Sequence, residues 1–414
     1  MALQGVEITR GSIGANTLSV GDGVSAIVIG APAATGLAQG VVKHLFGIKD
    51  AESVGITADF DQTNNVNAYR HISEFYRKAG EGSHLYVMLV DPTKTMVEIL
   101  EDTGSNYAKK LLSEAGGDVR QLAVAVNPTG ATTHLNGLPA DVYNAIAKAQ
   151  GLYDWADSHY MPLQILLEGY DYAGDASTVA DLRDLPNLQA HKVSVIIGQD
   201  WAYAESKTGN AQKYADVGTA LGVLSNAAIN QNIGDVESFN ITDATKNIWM
   251  VPGLSSHQKN SDVMEQLQTL DTKGYIFGVE YIGISGVRFN DDHTCTPIIM
   301  DAEHNVNEYC IAFGRTHDKA RRQLRTALLP KVKTVQPTDK KTGKIPAGVI
   351  KYFENLAGGV FEDMEKAREI SFGKATVNPD SDLVVARELE LSFEIIPYGN
   401  VGIIRGTSNL KTQV

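Results

Sequence analysis

Glu388-Leu389-Glu390-Leu391-Ser392-Phe393-Glu394-Ile395 alternates without a fault. Leu389, Leu391, Phe393 and Ile395 face one way, and Glu388, Glu390, Ser392 and Glu394 the other, the period-two pattern of a half-buried strand. Pro397-Tyr398-Gly399 stops it, and Val401-Gly402-Ile403-Ile404 reads as a second apolar strand ahead of a polar tail to Val414. The other end mirrors this: Gly5-Val6-Glu7-Ile8-Thr9-Arg10 reads as a short strand, followed by a Gly-, Ser- and Asn-rich linker to Gly23. Short strands at both ends, each set apart by turn residues, are suited to pairing with another sheet edge. If that edge lies on a neighbouring copy, Val6, Ile8, Leu389, Leu391, Phe393, Val401, Ile403 and Ile404 are the interface residues expected.

Between the ends, residues 24–200 alternate strand and helix. Ser25–Ile29, Leu85–Val90, Gln121–Val126, Leu163–Glu168 and Val193–Gly198 are short continuous apolar runs, as expected of strands covered on both faces. Helical spacing links Tyr69, Ile72, Phe75 and Tyr76 over 67–79, Val142, Ile146, Ala149, Leu152 and Trp155 over 140–158, and Val217, Leu221, Leu224 and Ala228 over 214–229. The order predicts an α/β fold with a mostly parallel core sheet and crossover helices. Beyond it lies an α+β region: a short helix at 264–270, strands at 275–279 and 281–287, a helix from Thr316 to Leu329 stopped by Pro330, and a partly helical 349–368 with a break expected at Gly358-Gly359. The domains expected are an N-terminal arm and linker (1–22), an α/β domain (23–268), an α+β C-terminal domain (269–396) and a C-terminal arm (397–414).

At 414 residues, 43% hydrophobic and 21% charged, the chain is globular and long enough for more than one core. No stretch approaches the ~20 apolar residues of a membrane span, so no direct membrane insertion is expected; nor is a secretory signal. Cys295 and Cys310 have no metal-type spacing, which points to synthesis in a reducing compartment. The net charge of −13 argues against a general nucleic-acid binder. Yet residues 315–351 hold eleven basic side chains against Asp318 and Asp339, a local +9 that leaves −22 for the remainder. Arg321, Arg322 and Arg325 form one face of the 316–329 helix, and Lys331, Lys333, Lys340, Lys341 and Lys344 follow. Such asymmetry suits an acidic partner or the chain's own copies, and the segment lacks the aromatics that stack on bases.

Chemistry is mostly missing. Neither phosphate-loop motif occurs; Gly30–Gly36 follows a strand, but Pro32 and the spacing fit neither. Gly283-Ile284-Ser285-Gly286 is one residue short of a nucleophile elbow and reads better as a bend. Asp291-Asp292-His293 offers metal- or acid/base-type groups, but reads as a polar turn. No catalytic, metal or cofactor site is expected. The competing reading is an α/β enzyme with a small-molecule site at the C-terminal edge of the parallel sheet, near Asn127, Glu168 or Asp200.

In order, spacing and ends the chain resembles the contractile tail sheath proteins of phages, prophages and contractile injection systems. The residues that carry the likeness are Gly5–Arg10 leading into Val24–Gly30, the Asn305–Lys331 segment with Arg315, Lys319, Ala320, Arg321, Leu324 and Ala327-Leu328-Leu329-Pro330, and the final Leu389–Val414. The resemblance implies a structural subunit, not an enzyme. Such subunits polymerise around an inner tail tube by lending terminal strands to neighbours' sheets, then contract to drive the tube through a cell envelope. It implies a homo-oligomer with tube, baseplate and tail terminator proteins as partners, in a virion tail or injection particle assembled in the bacterial cytoplasm. It also implies that Lys319, Arg321, Arg322 and Arg325 touch the tube. The chain lacks the long inserted outer domains of larger sheaths.

Overall fold

The computed structural model describes residues 21–101, 104, 106–408 and 410–411. The expected N-terminal strand, with Val6 and Ile8, lies outside them.

The chain enters through β1 (Ser25–Gly30) and the edge strand β2 (Val42–Leu45), then α1 (Ile48–Ser53), α2 (Ala58–Asn64) and α3 (Ala68–Ala79). Next come β3 (Leu85–Val90), α4 (Met96–Leu100), α5 (Tyr107–Glu114), β4 (Gln121–Ala125) and a small hairpin, β5 (His134–Leu135) with β6 (Leu138–Pro139). Helix α6 (Ala140–Ser158) leads to β7 (Gln164–Glu168) and β8 (Val193–Ile196). The sheet order is β2-β3-β1-β4-β7-β8, parallel except for β2, which runs antiparallel to β3. β1 shows why its strand reads as a continuous apolar run. Ala26 and Val28 point into a core shared with Met96, Leu111 and Ile146, while Ile27 and Ile29 point into one shared with Ile72, Phe75 and Leu221.

On that second face α3 lies against α8 (Val217–Asn226), which follows β9 (Gly198–Asp200) and the short α7 (Trp201–Ala204). The two helices approach closely because Gly218 and Gly222 stand at the crossing. A Cβ at Gly218 would lie 2.3 Å from the His71 carbonyl oxygen, and one at Gly222 2.6 Å from that of Phe75. β10 (Pro252–Leu254) joins β9 to β11 (Gln258–Lys259), α9 (Met264–Thr272) follows, and β12 (Gly278–Glu280) pairs antiparallel with β13 (Val287–Phe289).

The cores do not separate at residue 269. Leu270, Tyr275, Phe277 and Cys295 belong to the first core of the large sheet, and Ile276, Val287, Phe289 and Ile311 to the second. The C-terminal unit has separate cores, which begin at Ala320 within α10 (Ile311–Leu328) and draw on α11 (Ala347–Lys366), β14 (Ile370–Val377) and β15 (Leu391–Pro397). Helix α10 thus belongs to both bodies. It also starts earlier than Thr316, because its cap comes from outside the local sequence. The Asp292 carboxylate accepts from Ala312 N at 2.8 Å, and the Asp292 carbonyl from Ile311 N at 2.9 Å. Thr316 is interior, its hydroxyl donating to the Ala312 carbonyl. Helix α11 continues through Gly358-Gly359: Ala357, Phe361 and Met364 bury one face there, which outweighs the ~0.5–1 kcal/mol per glycine lost to backbone entropy.

Candidate assembly site

Of the alternating stretch at 388–395, the part from Leu391 onward forms β15, and its partner in the single chain is the chain's own β14. The pair is antiparallel, with Phe393 opposite Ala375 and Leu391 opposite Val377. Leu391, Phe393 and Ile395 turn inward onto Phe361, Met364 and Ile370, and Leu389 onto the neighbouring cluster around Val349 and Phe353. Phe393 stacks on Phe361 with ring centroids 5.5 Å apart. In the single chain, then, Leu389, Leu391 and Phe393 are half-buried against the chain's own clusters. β14 escaped the sequence reading because its alternation is broken: the register shifts between Ile370 and Phe372, so Ile370 and Ala375 both point inward while Phe372 is exposed. Gly373 sits at the irregularity, where a Cβ would meet the Phe361 side chain at 2.6 Å.

Among the described residues this pair gains no third strand. Neither outer edge carries a strand, but that of β14 is partly closed by α11, where Glu365 accepts from Gly373 N at 2.9 Å and Glu354 from Val377 N at 3.3 Å; the outer edge of β15 is the one left for strand addition. A groove of 530 Å³ follows β15, walled by Phe393–Pro397 on one side and by His191, Asn307, Phe313 and His317 on the other. Beyond Pro397 the expected second strand has no regular structure. Val401 (79% exposed), Ile403 (72%) and Ile404 (88%) stand in water.

The basic face of α10 is used inside the molecule. Lys319 Nζ lies 2.7 Å from an Asp22 carboxylate oxygen and also pairs with Glu369. Arg322 reaches the other Asp22 oxygen at 2.9 Å. Arg321 holds Asp157 at 2.8 Å, and the Arg325 guanidinium lies 3.4 Å from the centre of the Tyr160 ring. In the single chain all four of Lys319, Arg321, Arg322 and Arg325 fasten the C-terminal helix to its own body, because α10 lies along that body. A deeper lock adjoins them. The fully buried Lys192 pairs with Asp318 at 2.8 Å, with Glu308, and with the Gly314 carbonyl at 3.1 Å. Burial alone would raise the Glu308 carboxyl, but Lys192 and His317 hold it at about 2.

At the sheet's C-terminal edge a cavity of 390 Å³ opens beside Asn127, Pro32 and Pro92, but the polar groups expected there are engaged by the protein itself. Glu168 accepts from Val126 N at 2.7 Å and Ala215 N at 3.1 Å. Asp200 accepts from Arg70 and from Trp249 N, both at 3.0 Å, and the Asn127 amide donates to the Gly30 carbonyl. Asp271, Asp291 and His293 cluster closely enough to suggest a cation, but the Arg183 guanidinium bonds His293 Nδ1 while Nε2 faces Asp271 at 2.9 Å. The cluster thus carries its own positive charge. Asp292 is the helix cap described above. Ser285 lies in the β12–β13 turn, its carbonyl accepting from Arg288, which is no strand-to-helix elbow. Cys295 and Cys310 are separate buried thiols, the first pushed up to about 12 by burial.

No curated protein matches the sequence. Solved structures do match the fold over its whole length. The anti-feeding prophage (AFP) helical sheath in its contracted state aligns with 99% of this chain and 99% of its own, at 13% identity and a TM-score of 0.59. A chain of the six-fold-symmetrised AFP baseplate covers 100% of both at 13% identity and a TM-score of 0.61. The sheath tail protein from Desulfitobacterium hafniense covers 95% of this chain and 100% of its own at 11% identity and a TM-score of 0.52. The chain therefore has the fold of these tail sheath proteins: the mostly parallel α/β body and the further helices and small sheets recur across both lengths. A family model described as DUF2586, N-terminal domain, matches residues 4–293, and the chain belongs to that family.

Proposed function

We propose that this chain is a structural, non-catalytic subunit of a contractile tail sheath. Copies polymerise around an inner tube by lending terminal strands to one another's β14–β15 sheets, and the polymer contracts to drive the tube through a target envelope. The observation that carries the reading is a two-stranded sheet with no third strand among the described residues, on the same chain as an exposed apolar tail at Val401, Ile403 and Ile404. Strand addition needs few specific side chains and gains about 0.5–1.5 kcal/mol net per backbone hydrogen bond. Five or six bonds per arm give several kcal/mol, which a lattice repeats. Likeness in fold to the sheath and baseplate chains above supports the same role, in an injection particle or virion tail, with tube, baseplate and tail terminator proteins as partners.

Lys319, Arg321, Arg322 and Arg325 then act in this assembly by holding the C-terminal unit on the body, and any charge-borne contact with the tube falls to the loop that follows. There Lys333, Lys340 and Lys341 are paired with no acid among the described residues. The enzyme reading is the weaker one: a cavity lies beside Asn127, but Asn127, Glu168 and Asp200 are committed to hydrogen bonds within the protein.

The test is negative-stain electron microscopy of the concentrated full chain beside a variant ending at Pro397. Hollow tubes or stacked rings from the full chain, and discrete particles with unchanged circular dichroism from the shortened one, are expected. Tubes from both would overturn the strand-exchange mechanism. Discrete particles from both, persisting with a candidate tube protein, would overturn the sheath reading.

A further inference from the structure

Where the described chain begins, three cations on one face of α10 converge on a single residue, Asp22. Arg315, Lys319 and Arg322 are spaced four and three residues apart, so they stack along one side of the helix. Lys319 and Arg322 each take one Asp22 carboxylate oxygen, at 2.7 and 2.9 Å, and Arg315 reaches the Asp22 carbonyl at 3.4 Å. The neighbouring residue is tied to the body: the Gly23 carbonyl accepts from the Ser225 hydroxyl at 2.7 Å, and a Cβ there would lie 2.6 Å from the Ser225 carbonyl oxygen. Arg315 also donates to the carbonyls of Ala227 and Ala228 at 3.4 and 3.3 Å. On the far side Lys319 pairs with Glu369, one residue before β14, and the Asn230 amide donates to the Arg368 carbonyl at 2.9 Å. The entry of the chain, the end of α8, the middle of α10 and the start of β14 therefore meet at one cluster.

We propose that Asp22 is a latch that makes the entry of the chain into the body and the seat of the C-terminal unit a single interaction, so that displacing residue 22 loosens α10 and β14 together. Charge balance gives the reason. Arg120, Arg315, Lys319 and Arg322 crowd this corner, and Asp22 is the acid that faces all four, with Glu369 on Lys319 and Asp118, Asp292 and Asp318 acting on single members or pairs of them. Without the Asp22 charge, Arg322 loses its carboxylate partner, Lys319 loses one of two, and the nearby Arg315 adds repulsion in a partly buried place where water screens little. The relief available to the helix is to lift from the body, which carries Glu369 and the first residues of β14 with it. A pull on the chain before residue 21 is then felt at the strand pair that forms the assembly site. The latch is a property of the single chain and does not rest on the sheath reading.

The experiment is hydrogen–deuterium exchange with mass spectrometry on the dilute, unassembled full chain, comparing wild type, Asp22→Asn and Asp22→Glu. Asp22→Asn is expected to speed exchange about tenfold in peptides covering 23–25, 315–325 and 370–377 together. Asp22→Glu, which keeps the charge, is expected to recover most of the protection. Acceleration confined to 23–25, or equal acceleration at α10 and β14 in both variants, would overturn the latch. If Asp22→Asn does not fold, wild type at 0.05 and 0.5 M salt gives the same comparison: the three regions accelerate together if latched, and separately if not. None of these outcomes depends on whether tubes form.

Discussion

Replacing Phe361 with alanine tests whether the C-terminal unit stands on its own core. Phe361 is wholly buried on α11, stacked on Phe393 of β15 and in contact distance of the Gly373 backbone position. Its cluster has only seven fully buried members, Ala320, Leu324, Ala357, Phe361, Met364, Ile370 and Ala375, and the aromatic ring is the largest. A Phe→Ala change in a core costs about 3–5 kcal/mol, a large part of the ~5–15 kcal/mol that a whole domain possesses. The body, with its two large clusters on either face of the six-stranded sheet, does not touch this site. Unfolding should therefore split into two stages. The assay is urea denaturation followed by two signals. Trp155, Trp201 and Trp249 all lie in the body, so tryptophan fluorescence reports the body, while far-UV circular dichroism also reports α11. At an m-value of roughly 1.5 kcal/mol/M for urea, the early dichroism stage should move down by ~2–3 M with the fluorescence midpoint in place. If both signals in Phe361→Ala shift together by the same amount, the two cores form one cooperative unit and the division within α10 is wrong.

The other two stability predictions concern the body and the seat. Gly218→Ala should destabilise by about 1–3 kcal/mol or more, since its Cβ would lie 2.3 Å from the His71 carbonyl oxygen; a fluorescence midpoint within error of wild type would refute that crossing. Lys192→Met leaves Glu308 and Asp318 without their shared buried cation and should cost about 3–5 kcal/mol, read by the same titration. The pH dependence has a definite sign: Glu308 is held below its ordinary value of 4.5, at about 2, so its contribution is fully present above pH ~4.5 and lost as pH falls toward 2. Lys192→Met should flatten the stability profile across that window, and an unchanged slope would show that other carboxylates produce it.

The body was legible because each parallel strand is a short apolar run that needs no partner to be recognised, and the helices facing it keep strict 3.6-residue spacing. What escaped has identifiable physical causes. The edge strand β2, Val-Lys-His-Leu, is half exposed and too short to show a period. Helix α10 begins at Ile311 because Asp292, nineteen residues upstream, supplies the cap; local capping rules can only look three residues away. β14 hides its alternation in a bulge. The alternation identifies β15 as a strand but not its partner β14, since alternation states which face is buried and is silent about which edge is paired. The same limit applied to α10: its arginines were visible as one face, but the acids that claim them, Asp22 and Asp157, are hundreds of residues away in sequence.

On the proposed function, those internal pairs decide what kind of polymer is expected. The local +9 around α10 suggests an interface held by opposite charges, yet Lys319, Arg321 and Arg322 hold acids of the same chain at 2.7–2.9 Å and Lys192 is closed off altogether. What the surface offers instead is backbone: the open outer edge of β15 and the apolar tail at 401–404. Backbone bonds and apolar contacts respond weakly to ionic strength, whereas exposed ion pairs are screened over about 10 Å at 0.1 M salt and about 3 Å at 1 M. Polymers of this chain should therefore persist when 1 M sodium chloride is added, by sedimentation and by microscopy, and should fail when the tail is removed. Tubes that dissolve in salt but tolerate loss of the tail would mean that the free lysines at 333, 340 and 341, and not the strand edges, hold neighbouring copies together.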